Sequence, residues 1–475
     1  MGQLNREEGG VTNGSQLIFP WGKAEDALLG EITFRAFHLG PQDCSNSLWA
    51  LAVFFGQCDS REHSSPNAFA MEPGSWLIVR TCIKALLIQA AHTRGEASPQ
   101  HLCNTLWAAS KLLPPLRSPE FNISEDNADA EDDRHIIRTG QITSPQPAAG
   151  FRSILNGRSR KEVRGKDGDV YHVEVQLLQI ASELSVSLGQ CKPQELANVA
   201  VGCARLGLIL PGPRPTSEHT HGRPGWWPCF WAASFAALPS SEPRHLAAML
   251  WSAAAMGKVP PSRWTRALLR EATGRSSTPL SPRAVASILW SLGKLGLLGP
   301  LSRECPGALI RLMDKAREYS LSGAFNPQGL MMTLKAAACI VTSTKDRQNS
   351  GGTERFDGGR PDGRCPDESR AFGNDLECHR LLQEVLPEAV VALRNAFLSC
   401  DNLTLIKPRA LVSGLVALVA LQDGPWSHNS KQIMNESASQ SLCLICAVNG
   451  ALIELEPYSA VVIKACLKRL CFTYV

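Results

Sequence analysis

Apolar and polar positions follow one another along most of this chain with the period of an α-helix, and one phased segment recurs. In "SPQHLCNTLWAASKLL", Ser98–Leu113, a proline opens the segment and apolar residues stand three and seven positions later. Aligned on that proline, the set is "PQDCSNSLWALAVF" from Pro41, "PQHLCNTLWAASKL" from Pro99 and "PQELANVAVGCARL" from Pro193. It continues with "PRHLAAMLWSAAAM" from Pro243, "PRAVASILWSLGKL" from Pro282, "PQGLMMTLKAAACI" from Pro327 and, most weakly, "PRALVSGLVALVAL" from Pro408. Leu102 and Leu106, Leu246 and Leu250, and Val285 and Leu289 fill the two apolar positions on one side of each predicted helix. Proline suits the first helical position, where its missing N–H costs nothing. Ser98, Ser281 and Asn326 precede it as N-caps; Gly207, Gly257 and Gly296 follow the last apolar position as C-caps. Small residues such as Ala50, Ala108, Gly202, Ser252 and Ser291 crowd the turn after position seven, which would let neighbouring helices approach closely.

Between these motif helices lie amphipathic partners. They are "WLIVRTCIKALLIQAAH" from Trp76, "VEVQLLQIASELSVSL" from Val173, "WTRALLREA" from Trp264, "CPGALIRLMDKAREYS" from Cys305 and "LLQEVLPEAVVALRNAFL" from Leu381. Pro243, Pro282 and Pro327 are 39 and 45 residues apart, which fits two helices per repeat. An irregular helical domain would not repeat one spacing of proline, leucine and small residues so often. The pattern therefore predicts an all-α chain, a right-handed superhelical solenoid of antiparallel helix pairs. It divides into a polar N-terminal segment (1–25), N-terminal repeats (26–118), an acidic and polar insertion (119–170) and central repeats (171–341). A Gly/Asp/Arg-rich insertion (342–375) and C-terminal repeats (376–475) complete it. Both insertions have the composition of disordered segments.

Composition narrows the function classes. Hydrophobic residues make up 44% and charged residues 19%, a globular balance, and no run of eighteen apolar residues predicts a membrane span. A formal net charge of +4 does not by itself identify a polyanion partner, although charge can be gathered on one face. Of 16 cysteines, most stand singly among apolar residues, as at Cys103, Cys203, Cys339 and Cys466, which favours buried thiols over a disulfide framework. Cys443 and Cys446 form one CxxC without a second pair, and Asp126, Asp129, Asp132 and Asp133 form a solvated acidic run. With no Walker loop, HExxH or GxSxG, neither an enzyme nor a cofactor is expected.

"PQHLCNTLWAASKLL" and "SPRAVASILWSLGKLGL" resemble the core helix of octotricopeptide-type repeats, and of the heptatricopeptide-like repeats in organellar RAP-family proteins of apicomplexans and algae. The likeness runs from about residue 30 to the end. Its Asn-x-Leu-Trp-Ala element is intact at Asn104–Ala108, is nearly so at Asn46–Ala50, and decays in later copies. No RAP module is recognisable after the repeats, and "MGQLNREEGG" is not a basic leader. The resemblance implies binding of single-stranded or ribosomal RNA in an organelle. A mitochondrion is expected, with a plastid or the cytoplasm as alternatives. The role implied is RNA stability or processing, or membership of a mitochondrial ribosome or another RNA assembly.

Counting from the proline, positions 1, 5 and 12 fall near one side of the motif helix. They hold Arg283, Ser287 and Lys294 in one copy, Gln100, Asn104 and Lys111 in another, and Gln194, Asn198 and Arg205 in a third. Arg244 and Arg409 occupy position 1 in their own copies. Lys111, Arg205, Arg244, Arg283, Lys294 and Arg409 are therefore candidate phosphate contacts, and Asn104 and Asn198 candidate base contacts. A solvated face, or a protein-binding scaffold of the HEAT or armadillo kind, is the competing reading. The tryptophans at position 8, Trp49, Trp107, Trp251 and Trp290, adjoin the apolar position 7 and are expected to pack in the core. "GWWPCFWAASF" leaves Trp226 or Trp227 as candidates for exposure.

Overall fold

The computed structural model describes residues 22–56, 73–113, 168–210, 225–274, 279–349 and 380–398, together with Ala417 and Leu421. Among these residues the structure is helical, with no strand. The chain forms two compact units, Met1–Ile180 and Ala181–Val475.

In the first unit, α1 (Lys23–Arg35) and α3 (Pro73–His92) are partner helices, and α2 (Pro41–Gly56) and α4 (Pro99–Leu112) are motif helices. α2 packs along α4, α1 packs along α3, and α3 touches both motif helices. Val79, Cys82, Ile83, Leu86 and Leu87 of α3 are buried with Cys44 and Leu48 of α2 and Leu102 and Leu106 of α4. Each of the aliphatic side chains among them contributes about 1.5–3 kcal/mol on burial. Polar ties fix the register: Ser75 Oγ donates to Asp26 Oδ2 at 2.8 Å, and Gln89 Nε2 donates to the Leu39 carbonyl at 2.9 Å. Gly74–His92 of α3 is long and apolar enough in composition to cross a membrane, but half of it is buried within the fold, as a core helix is.

The boundary between units falls inside α5 (Gly168–Ser187). In the second unit the motif helices are α6 (Pro193–Leu206), α8 (Pro243–Ala255), α10 (Pro282–Lys294) and α13 (Pro327–Asn349). They lie in that order, α6 against α8, α8 against α10 and α10 against α13. The partners are α7 (Trp226–Ala237), α9 (Ser262–Gly274), α12 (Pro306–Leu321) and α14 (Leu386–Leu398), with α9 touching α7 and α12, and α12 touching α14. The expected alternation of partner and motif helix is therefore present. α11 (Leu298–Glu304) was not anticipated: Gly296, at φ 67°, turns the chain so that α11 leaves α10 at 107°. α13 runs on to Asn349, past the boundary read at 341.

The caps are as the sequence indicates. Ser98 accepts from the His101 N–H at 3.3 Å, Ser281 from Ala284 at 3.2 Å and Asn326 from Gly329 at 2.7 Å. Gly207, Gly257 and Gly296 all have φ near +60°, the left-handed conformation that ends a helix at little cost only for glycine.

Candidate nucleic-acid interface

Each motif helix distributes its positions by phase, at about 100° per residue. Positions 3, 6, 7 and 10 form a buried stripe: Leu196, Val199, Ala200 and Cys203 in α6, Leu246, Met249, Leu250 and Ala253 in α8, and Val285, Ile288, Leu289 and Leu292 in α10. Positions 2 and 9 on one flank, and 4 and 11 on the other, meet neighbouring motif helices. A Cβ added to Gly329, position 2 of α13, would lie 3.7 Å from the Ala286 Cβ, position 4 of α10. One added to Gly293, position 11 of α10, would lie 3.6 Å from the Ala336 Cα, position 9 of α13. Both pairs have the same offset, so α10 and α13 run parallel, and small residues set their close approach. What remains is positions 1, 5, 8 and 12, which fall within about 60° of one another and stay open.

That phase corrects the expectation for the tryptophans. Position 8 lies on the open side, between positions 1 and 12, and adjacency to position 7 does not bury it. Trp107, Trp251 and Trp290 are half-buried and Trp49 is 49% exposed. The Lys294 ammonium stands 5.0 Å from the centre of the Trp290 ring. The tryptophans of the core lie elsewhere. Trp226, a candidate for exposure, is 1% exposed and stacks on Phe230 with ring centres 5.0 Å apart. Trp264 is also 1% exposed, and its Nε1 donates to Ser234 Oγ at 2.9 Å.

The candidate residues are distributed as follows. Arg283 and Lys294 are exposed at the two ends of α10. Arg244 is exposed on α8, but its guanidinium pairs with Glu242 at 2.8 Å, so it is not a free cation. Arg205 and Asn198 are half-buried on α6. α6, α8 and α10 adjoin in one layer, and these five residues hold positions 1, 5 and 12 of those helices. Asn104 and Lys111 are half-buried on α4 of the first unit, and Arg409 lies outside the described residues. Sequence reasoning passed over the arginines of the partner layer. Arg263, Arg266 and Arg270 are all exposed on α9, and their spacing of three and four residues was a usable signal.

Two thiols of the motif helices are poorly disposed to ionise. Burial pushes Cys203 up to about 12, and burial aided by the neighbouring Asp43 pushes Cys44 up to about 11. No group of three metal-ligating side chains occurs among the described residues. No protein-family model matches the chain, and no curated protein matches it closely enough to count as a relative.

Proposed function

We propose that the chain binds single-stranded or ribosomal RNA along the open side of its motif helices. The observation that carries this reading is the α10 face, where Arg283, Ser287, Trp290 and Lys294 stand together with the lysine over the indole. Cations there would hold phosphates, half-open indoles would offer stacking surfaces, and Asn198 and Asn104 would reach base edges. In this reading the helix pairs are antiparallel and wind as a right-handed superhelix, as the octotricopeptide-type resemblance implies. The same resemblance supports an organellar setting, a mitochondrion first, and a role in RNA processing, stability or a ribosomal assembly.

The test is a titration of a labelled oligouridylate against salt, using the full chain. Changing Arg205, Arg283 and Lys294 together to Gln is expected to flatten the salt dependence by about 0.7 per lost phosphate contact. Trp251→Ala and Trp290→Ala are expected to weaken binding with little change in slope, by about 1–3 kcal/mol per stacked base. Folded variants with wild-type affinity and slope would overturn the reading. A protein-binding scaffold would then lead, and it has its own support in the first unit, where Phe34 is 79% and Phe37 64% exposed.

A further inference from the structure

Among the described residues of the second unit, positive charge is gathered on the partner layer as well as on the motif helices. A groove of about 1030 Å³ is lined by Arg263, Arg266 and Arg270 of α9, Arg303 of α11 and Arg311 of α12. All five side chains are exposed. Glu304 is the one carboxylate in the lining, so the groove carries as much net positive charge as the whole chain, which totals +4. Glu304 is itself held at one edge, where it pairs with Arg266 at 3.3 Å and accepts from Ser262 Oγ at 3.1 Å. Arg263 lies over the Phe235 ring, 4.9 Å from its centre, which fixes that guanidinium at one wall. Like charges gathered in one groove repel one another.

We propose that this groove binds the phosphodiester backbone of a nucleic-acid strand. Guanidinium groups match phosphate oxygens in pairs and present a fixed planar fork. Arg263 and Arg270 are seven residues apart, about 10 Å along the helix axis, or the rise of about three nucleotides of one strand. Arg303 and Arg311 line the same groove from α11 and α12, so a strand lying in it meets cations contributed by three helices. A protein partner would want apolar anchor pockets at its centre. Beyond Phe235, which Arg263 covers, the uncharged lining is made of small residues such as Ala267, Gly307 and Ala308. The groove stands on a different layer from the motif-helix face and does not rest on the reading of that face.

The experiment compares the full chain with a variant carrying Arg263→Gln, Arg270→Gln, Arg303→Gln and Arg311→Gln, leaving the Arg266–Glu304 pair in place. A labelled oligouridylate and an oligoglutamate of matched charge are titrated across a salt series, beside thermal melting of each protein. The expected result is an unchanged melting midpoint, at least a ~10-fold loss of RNA affinity, and a salt slope reduced by about 0.7 per lost contact. Arginine modification of the wild-type chain provides a readout that needs no variant, with RNA shielding Arg270 and Arg311 from phenylglyoxal. Equal RNA affinity and slope in wild type and folded variant, or equal modification with and without RNA, would overturn the proposal. Oligoglutamate binding as tight as RNA would overturn it in favour of an acidic peptide. Loss of RNA binding in the motif-face variant alone, with the groove variant unaffected, would remove this site and leave the other standing.

Discussion

In the partner layer, Trp226 and Trp264 are each 1% exposed, whereas the tryptophans of the motif helices are half-buried or, at Trp49, 49% exposed. The partner pair sits in an aromatic cluster with Trp227, Phe230 and Trp231, and the Trp231 and Trp264 ring centres are 4.9 Å apart. A buried hydrogen-bond chain threads it, from Trp264 Nε1 to Ser234 Oγ and from Ser234 Oγ to the Phe230 carbonyl. The motif tryptophans have no such enclosure. Trp290 shares its surface with a lysine, and the buried stripe of α10 is wholly aliphatic. One residue type thus holds helices together in one layer and stays part-exposed in the other. The repetition of tryptophan in the motif helices reflects a repeated surface as much as a repeated core.

The same truncation in the two layers gives the sharpest contrast. Trp264→Ala is expected to destabilise the second unit by about 3–5 kcal/mol, through lost burial and the cavity left beside Trp231. Trp290→Ala is expected to cost less, about 1–2 kcal/mol, since the side chain is only part-buried and its contact with Lys294 is an exposed one. Chemical denaturation of the two variants measures both. Equal losses would mean that the Trp290 ring is a core element after all, and would end the contrast between the layers.

How closely the motif helices pack is tested at Gly293. A Cβ there would meet Leu298 Cδ1 at 3.4 Å, and Ala336 Cα and Cys339 Sγ at 3.6 Å, which is ordinary contact. Gly293→Ala is expected to be neutral or to stabilise by about 0.5–1 kcal/mol, since alanine loses less backbone freedom in a helix. Gly293→Val would drive methyl groups toward the α13 backbone and is expected to cost about 1–3 kcal/mol. A valine variant as stable as the alanine variant would show that the two helices are farther apart than described.

What could be read from the sequence was what is local to one helix. Ser98, Ser281 and Asn326 cap helices whose first turns lie three residues away, and Gly207, Gly257 and Gly296 end helices within one turn. Proline at the helix start and aliphatic residues at positions 3 and 7 carry the alternation of elements for the same reason. The recurrence of the tryptophans is equally legible, but adjacency in sequence to a buried position does not bury a helical side chain. Neighbours in sequence are separated by about 100° on a helix, so position 8 shares a side with positions 1, 5 and 12, which were assigned to the surface. The arginine groove is different in kind. Arg263 and Arg311 lie on helices separated by α10 and α11, and only the packing of α9 against α12 brings them to one groove. α11 was missed because seven residues containing Gly299 and Pro300 show no helical period.

The smallest effect separates motif helices by the chemistry of their N-terminal caps. α4 and α10 are capped by serine hydroxyls, which do not titrate between pH 5 and 8. At α8 the Glu242 N–H instead donates to His245 Nδ1 at 3.3 Å, and that nitrogen accepts only while unprotonated. His245 is 9% exposed, and burial holds its pKa below the ordinary 6.5; Glu242 pulls the value up and Arg244 pushes it down. Above pH 6.5 the ring is neutral in both the folded and unfolded chain, and its contribution to stability is full. As pH falls through 6.5, the unfolded ring takes up a proton that the folded ring resists, so stability declines until the lower folded value is passed. The thermal midpoint of the full chain should therefore carry a His245-dependent decrease between pH 7.5 and 5.5. His245→Gln places a non-titrating acceptor at the same third helical position, where glutamine serves as a cap partner. Subtracting its pH profile from that of the wild type should isolate the decrease. Superimposable profiles would mean that the imidazole does not serve α8 as a neutral acceptor, and the contrast with the serine-capped helices would disappear.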